Sequence, residues 1–131
     1  MQKSLPPLKI GYVLDGGLQK PDGVQQYILA LGEYFKKNNH SVRYIVAGKV
    51  PNKYKEAVSL ASAITVKSNG NKLYIPLPSK KSRIKEYLYK ENFDILHVQT
   101  PYSPFMGEKV VLAADKSTAI IGTFHIIPAN W

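Results

Sequence analysis

The chain has 131 residues, 44% of them hydrophobic and 21% charged, and it has no cysteine. Such a length and balance describe one globular domain able to bury a core, and they exclude a disulfide scaffold, thiolate metal sites and cysteine nucleophiles. The formal net charge of +9 is spread over both halves, so it reads either as a call for an anionic partner or as ordinary solubility.

Met1–Pro7 reads as a loose leader, with no cleavable signal pattern and no run of membrane-span length after it. The chain is therefore expected to be soluble or to sit on a membrane surface. Leu8–Leu14 is the first expected strand, apolar on both faces as parallel strands are. Asp15–Gly23 is a loop with three glycines. After it Val24, Tyr27, Ile28, Leu31 and Phe35 form the stripe of an amphipathic helix. Asp22 is placed to cap that helix, and Lys36, Lys37 and Asn38-Asn39 mark its end.

Ser41–Ala47 is the second expected strand, followed by a polar loop over Lys49–Lys55. Ala57–Ala63 reads as a short helix or a turn. Ile64–Lys67 and Lys72–Ile75 read as short strands around the turn signal Asn69-Gly70-Asn71. Lys80–Lys90 is a basic helix, Phe93–Val98 a strand, Phe105–Ala114 a helix after the loop Pro101–Pro104, and Thr118–Phe124 the last strand. His125–Trp131 is a tail.

Alternating strands and helices predict an α/β fold: a three-layer, Rossmann-like parallel sheet in one domain spanning residues 1–131. Ligands of such sheets sit at the carboxyl ends of the strands. Asp15–Gly23, Gln99–Pro104 and His125–Trp131 are therefore expected on one rim.

Glycines 16, 17 and 23 match neither the G-x-G-x-x-G fingerprint nor a P-loop. Either they let a phosphate approach the helix N-terminus, or they serve the turn alone. His40 reads as a surface residue and His97 as a hydrogen-bonded core residue. His125 falls on the ligand rim, where it suits a substrate hydroxyl or acid–base work. The three are too scattered, and too far from carboxylates, to form a metal site. In the basic helix, Lys80, Lys81, Arg83 and Lys85 surround a narrow stripe of Ile84, Tyr87 and Leu88. Lys81 and Lys85 repel at a spacing of four, which an anionic surface relieves. A plain solvated face remains the other reading.

Three segments in order, KIGYVLDGGLQKPDGVQQYILALGEYF with NNHSVRYIVAG, SRIKEYLYKENFDILHVQTPYSP, and TAIIGTFH, resemble the N-terminal lobe of retaining family 4 glycosyltransferases. Within that family the likeness is greatest to lipid-modifying enzymes of the phosphatidylinositol mannosyltransferase type. The resemblance implies a truncated N-terminal lobe of the GT-B fold, whose second lobe holds most of the nucleotide-sugar site.

By position, Gly23 faces the donor phosphates, Gln25 lies near the acceptor, and His125 contacts the sugar and assists transfer. Tyr12 and Asp15 border the acceptor pocket. Lys80, Lys81, Arg83 and Lys85 meet anionic lipid at the cytoplasmic membrane face. No cofactor or metal is implied; the nucleotide-sugar is a substrate, and the acceptor is a lipid or glycan. The sequence departs from the family in having Asp22 before Gly23 and Gln99-Thr100 at the end of the FDILHV strand.

With the donor lobe missing, the chain is expected to be inactive alone, as a fragment, a truncated frame or half of a split enzyme. Two other classes compete. A basic module binding nucleic acid or anionic membrane without catalysis rests on charge, with Tyr87 and Tyr89 as candidate stacking residues. A nucleotide-binding oxidoreductase fragment is opposed by the absent fingerprint.

Overall fold

A computed structural model describes residues 6–19 and 21–125. The elements run β1 (Lys9–Val13), α1 (Gly23–Lys37), β2 (Ser41–Ala47), β3 (Ala57–Ala61), β4 (Ala63–Ser68), β5 (Asn71–Pro76), α2 (Lys81–Glu91), β6 (Ile95–Gln99), α3 (Gly107–Ala113) and β7 (Ala119–Thr123). Five strands form a parallel sheet in the order β3-β2-β1-β6-β7, and β4 and β5 form a separate antiparallel hairpin.

The central strands are short apolar runs because both faces are covered. Ile10 and Tyr12 face α1, together with Val42, Tyr44 and Ile28. Val13 faces α2 and α3, among Ile45, Ile84, Leu88, Leu96 and Val110. Three layers result, with the two cores on opposite faces of β1, β2 and β6. Gly32 lets α1 sit close on β2, since a Cβ there would run into the Tyr44 ring.

Local chemistry places the ends of α1. Val24 N–H donates to the Asp22 carboxylate at 3.3 Å, and Lys36 and Lys37 occupy the last turn. Asn39 leaves the helix at φ 67°, a conformation asparagine tolerates better than most residues.

Two sequence expectations need correction. Ala57–Ala63 is no helix or turn. Ala57–Ala61 is an edge strand parallel to β2, with Val58 and Leu60 packed on the α2 side. Pairing to β2 overrides the weak preference of this Ala/Ser-rich stretch. His40 is half-buried rather than a free surface residue: its Nδ1 accepts from Leu8 N–H at 3.0 Å and ties the end of α1 to the start of β1.

At the far edge, β7 pairs with β6 alone among the described residues, and Ile120 and Ile121 remain exposed. Among the described residues, no helix is long and apolar enough to cross a membrane.

Candidate functional site

The strand order reverses between β1 and β6, which run side by side but leave for opposite faces of the sheet. Such a switch point opens a crevice at the carboxyl ends of the two strands. Asp15, two residues past β1, fills it. Its side chain lies against Ser103 and the start of α3, and burial pushes its carboxyl above the usual range. The Ser103 hydroxyl, the Gly107 and Met106 amides and Lys109 ease that shift. These contacts are poorly aligned, and neither carboxylate oxygen meets full hydrogen-bond geometry with a partner among the described residues.

The glycine loop continues on the α1 side. A Cβ on Gly17 would lie 2.8 Å from the Tyr74 hydroxyl, so this glycine is needed for packing. Tyr74 reaches down from β5 and donates to the Ala47 carbonyl at 2.8 Å, which clamps the hairpin over the loop. A Cβ on Gly23 would meet nothing within 4 Å. The space above the first residue of α1 is open, and packing does not demand glycine there. Asp22 is turned aside as the helix cap, so its charge is already engaged by a backbone amide.

Gln25 points back into the loop and donates from Nε2 to the Gly17 carbonyl at 3.1 Å, while its buried Oε1 has no partner among the described residues. Gly16, Gly17, Gln25, Thr65, Lys72 and Tyr74 help to line a hollow of about 470 Å³ between the loop and the hairpin.

Beyond β6 and β7 a chain of polar contacts crosses the rim. His97 Nε2 and Thr123 Oγ1 lie 2.7 Å apart. Gln99, fully buried, donates from Nε2 to the His97 carbonyl at 3.3 Å, and its Oε1 lies 2.7 Å from His125 Nε2. With that oxygen as acceptor, His125 carries its proton on Nε2 and Nδ1 is its lone-pair edge. The Tyr27 ring stands edge-on to both His97 and His125, with centroids 6.1 and 5.4 Å away. Burial, then the nearby His125, pushes His97 below the usual histidine range, so it stays neutral at neutral pH. Thr100, next in the chain, holds φ 56° although it is β-branched. Such a residue costs about 1–3 kcal/mol, a strain that concentrates at functional rims.

The structure thus gathers Gly23, Gln25 and His125 around the N-terminal turns of α1, with Tyr27 one turn beyond Gly23. Asp15 is set apart, on the α3 side of the loop. Tyr12 lies beneath the rim rather than on it. It is 1% exposed, its ring is stacked on Tyr44 at 5.9 Å, and burial pushes its hydroxyl up to about 12. It shapes the site through His97, whose ring lies 5.5 Å away.

Lys80, Lys81 and Lys85 are exposed at or on α2. Arg83 differs, since its guanidinium donates to the Ser59 carbonyl on β3 at 3.0 Å and so braces the fold. Tyr87 packs on Phe93, leaving Tyr89 as the exposed aromatic of this helix. A larger hollow of about 780 Å³ opens between α2 and α3, bordered by Leu88, Phe93 and Thr118. It lies at the amino ends of β6 and β7, the wrong end for a ligand of a parallel sheet.

No group of metal-ligating side chains occurs among the described residues. Sequence reasoning missed Tyr27 and Tyr74 as site residues. It noted Gln99 only as a departure, although a glutamine closing an apolar strand is itself the mark of a buried polar anchor.

A model of Glycosyltransferase Family 4 matches residues 21–130. A phosphatidyl-myo-inositol mannosyltransferase of Propionibacterium freudenreichii is 28% identical over 129 residues, covering 90% of this chain and 33% of the relative. One of Mycolicibacterium smegmatis is 27% identical over 120 residues, covering 90% and 31%. The chain therefore spans about a third of the length of the curated relatives it matches. Among solved structures, an alpha-glucosyltransferase in complex with UDP and a 13-mer DNA containing a HMU base aligns over 89% of this chain and 38% of that one. Its TM-score is 0.47 and its identity 16%.

Proposed function

The chain belongs to glycosyltransferase family 4, and from that premise we propose that it is the acceptor-side lobe of an enzyme moving a sugar from a nucleotide-sugar to a lipid at a membrane face. The observation that carries this reading is the open space above Gly23, at the N-terminus of a 15-residue helix and on the same rim as His125. A helix N-terminus attracts anions through its unpaired amides and its dipole. A donor diphosphate meets backbone there without meeting a side chain.

Gln99 fixes the His125 ring, so Nδ1 accepts a hydrogen bond from a sugar hydroxyl and keeps the sugar oriented during transfer. Asp15, Gln25 and the hollow beside Gln25 border the acceptor. The leaving diphosphate is stabilised by groups on a second lobe, which this chain does not supply. The chain alone is therefore inactive. The relatives' name makes mannose the sugar and phosphatidylinositol the acceptor to try first. Lys80, Lys81 and Lys85 bring the lobe to an anionic leaflet.

A nucleic-acid module is disfavoured, because aromatic platforms must interleave with the cations and Tyr87 is committed to the core. The test is transfer of labelled mannose from nucleotide-mannose donors to phosphatidylinositol vesicles. It compares the chain with a longer polypeptide that also carries a donor lobe. Transfer by the longer polypeptide alone is expected. Transfer by the chain alone overturns the incomplete-cleft reading, and no transfer by either overturns the function.

A further inference from the structure

Tyr27 belongs to the apolar stripe of α1 by spacing but not by packing. Val24, Ile28, Leu31 and Phe35 join the core between α1 and the sheet, whereas Tyr27 stands at the rim with 37% of its surface exposed. Its ring meets two other rings there. The centroids of His97 and His125 lie 6.1 and 5.4 Å away, at interplanar angles of 86° and 75°. Edge-to-face pairs of this kind are attractive and directional, because the positive edge of one ring meets the negative face of the other.

The two histidines sit on different segments. His97 lies within β6, and its Nε2 is 2.7 Å from the Thr123 hydroxyl at the end of β7. His125 follows two residues after Thr123, is exposed, and is held at Nε2 by Gln99 Oε1. One hydrogen bond fixes one corner of an imidazole and leaves the ring free to rock about that point. A contact from a second direction is needed to fix its plane, and Tyr27 supplies it. Through His97 the same side chain braces the strand end that carries His125.

Gly23 and Tyr27 are four residues apart, so they share one face of α1 at about 6 Å along its axis. In a nucleotide-sugar the carbon that is transferred is bonded directly to the diphosphate. The group that holds the sugar must therefore stand at a set distance from the backbone that meets the phosphates. His125 is on a different element from Gly23, and without a brace that distance would drift with the strand end.

We infer that Tyr27 is a positioning residue for sugar transfer: its ring fixes the plane of His125 and ties it to the phosphate-facing turn of α1. The inference rests on the sugar-holding role of His125 proposed above. The ring acts here and not the hydroxyl, so phenylalanine serves in its place and an aliphatic side chain does not.

Two measurements test this. On the chain itself, nuclear Overhauser contacts between the Tyr27 and His125 rings are expected. The couplings that report χ1 of His125 should show one rotamer in wild type and in Tyr27→Phe, and an average in Tyr27→Leu. In the longer polypeptide that also carries a donor lobe, Tyr27→Leu should lower kcat about tenfold (about 1.4 kcal/mol). The KM of both substrates should stay unchanged, as when an interaction made only in the transition state is lost. Tyr27→Phe should restore most of that turnover.

Should Tyr27→Leu misfold by circular dichroism, Tyr27→Met replaces it, and the ring contacts in wild type need no variant. Absent ring contacts in wild type, or a single His125 rotamer in the folded aliphatic variant, overturns the inference and leaves the role of His125 standing. A loss in Tyr27→Phe equal to that in Tyr27→Leu gives the hydroxyl a substrate contact and overturns a positioning role. A raised acceptor KM at unchanged kcat does the same, by making Tyr27 part of the acceptor pocket. No transfer by the wild-type longer polypeptide overturns the proposed function and this role with it, even where the ring contact is seen.

Discussion

Replacing Gly23 by alanine separates a glycine kept for geometry from one kept for a ligand. A Cβ there meets nothing within 4 Å, and positive φ among the described glycines occurs only at Gly48 and Gly70. The folded state therefore accepts the methyl group without strain. Alanine also restricts the unfolded chain, which stabilises a protein by about 0.4–1 kcal/mol when the native backbone is compatible. With a urea slope of about 2 kcal/mol per molar, the midpoint should rise by roughly 0.2–0.5 M.

Gly32→Ala is the contrast. Its Cβ would sit 2.7 Å from Tyr44 Cζ, against a ring that is 1% exposed, and should cost about 1–3 kcal/mol by overpacking. Urea unfolding followed by circular dichroism reads both variants. In the two-lobed polypeptide, Gly23→Ala should raise the donor KM at least about tenfold, because the methyl occupies the space of an approaching phosphate (about 1.4 kcal/mol). A lowered urea midpoint for Gly23→Ala would show that the glycine serves the turn. An unchanged donor KM would show that no phosphate comes near it.

Gln99→Leu removes two hydrogen bonds from a fully buried side chain but roughly keeps its volume. It should cost only about 1 kcal/mol in urea unfolding. The telling readout is the nitrogen spectrum of His125, expected to show Nε2–H in the wild type and a mixture of tautomers in the variant. An unchanged tautomer would mean that Gln99 does not orient the ring. Asp15→Asn tests the buried carboxylate. Burial raises the folded-state pKa above the unfolded one, so the folded chain holds this proton to higher pH. Stability is therefore lost as pH rises from the unfolded-state pKa through the folded-state one. Asp15→Asn should accordingly stabilise the chain near pH 7, with the gain shrinking as pH falls into the ordinary carboxylate range. A gain independent of pH would remove ionisation as the cause.

The parallel core was legible because its signals are local. β1 and β2 are apolar runs of strand length, and α1 carries its cap, stripe and cationic last turn within one stretch of sequence. The hairpin was legible from Asn69-Gly70. β3 was not, since Ala57–Ala61 becomes a strand through hydrogen bonds to β2 rather than through its own residues. The clamp from Tyr74 to the Ala47 carbonyl spans 27 positions, and no local pattern announces it. His40 was misplaced for the same reason, its partner Leu8 being 32 residues away. The rim was legible as a set of strand ends. Its internal grouping was not: position in the chain put Tyr12 beside Asp15, whereas alternation along β1 sends Tyr12 into the α1 core. Arg83 likewise looked like its lysine neighbours until its carbonyl partner on β3 was seen.

The central claim is that the strand-end rim of this lobe positions a sugar through His125. The most direct test is His125→Ala in the two-lobed polypeptide, with mannosyl transfer to phosphatidylinositol vesicles measured beside the urea midpoint. The account predicts a fall in kcat of at least about a hundredfold, the scale of losing a positioned acid–base or hydrogen-bonding group, with the midpoint moved by less than about 1 kcal/mol. Full turnover in that variant would take His125 out of the mechanism and contradict the account.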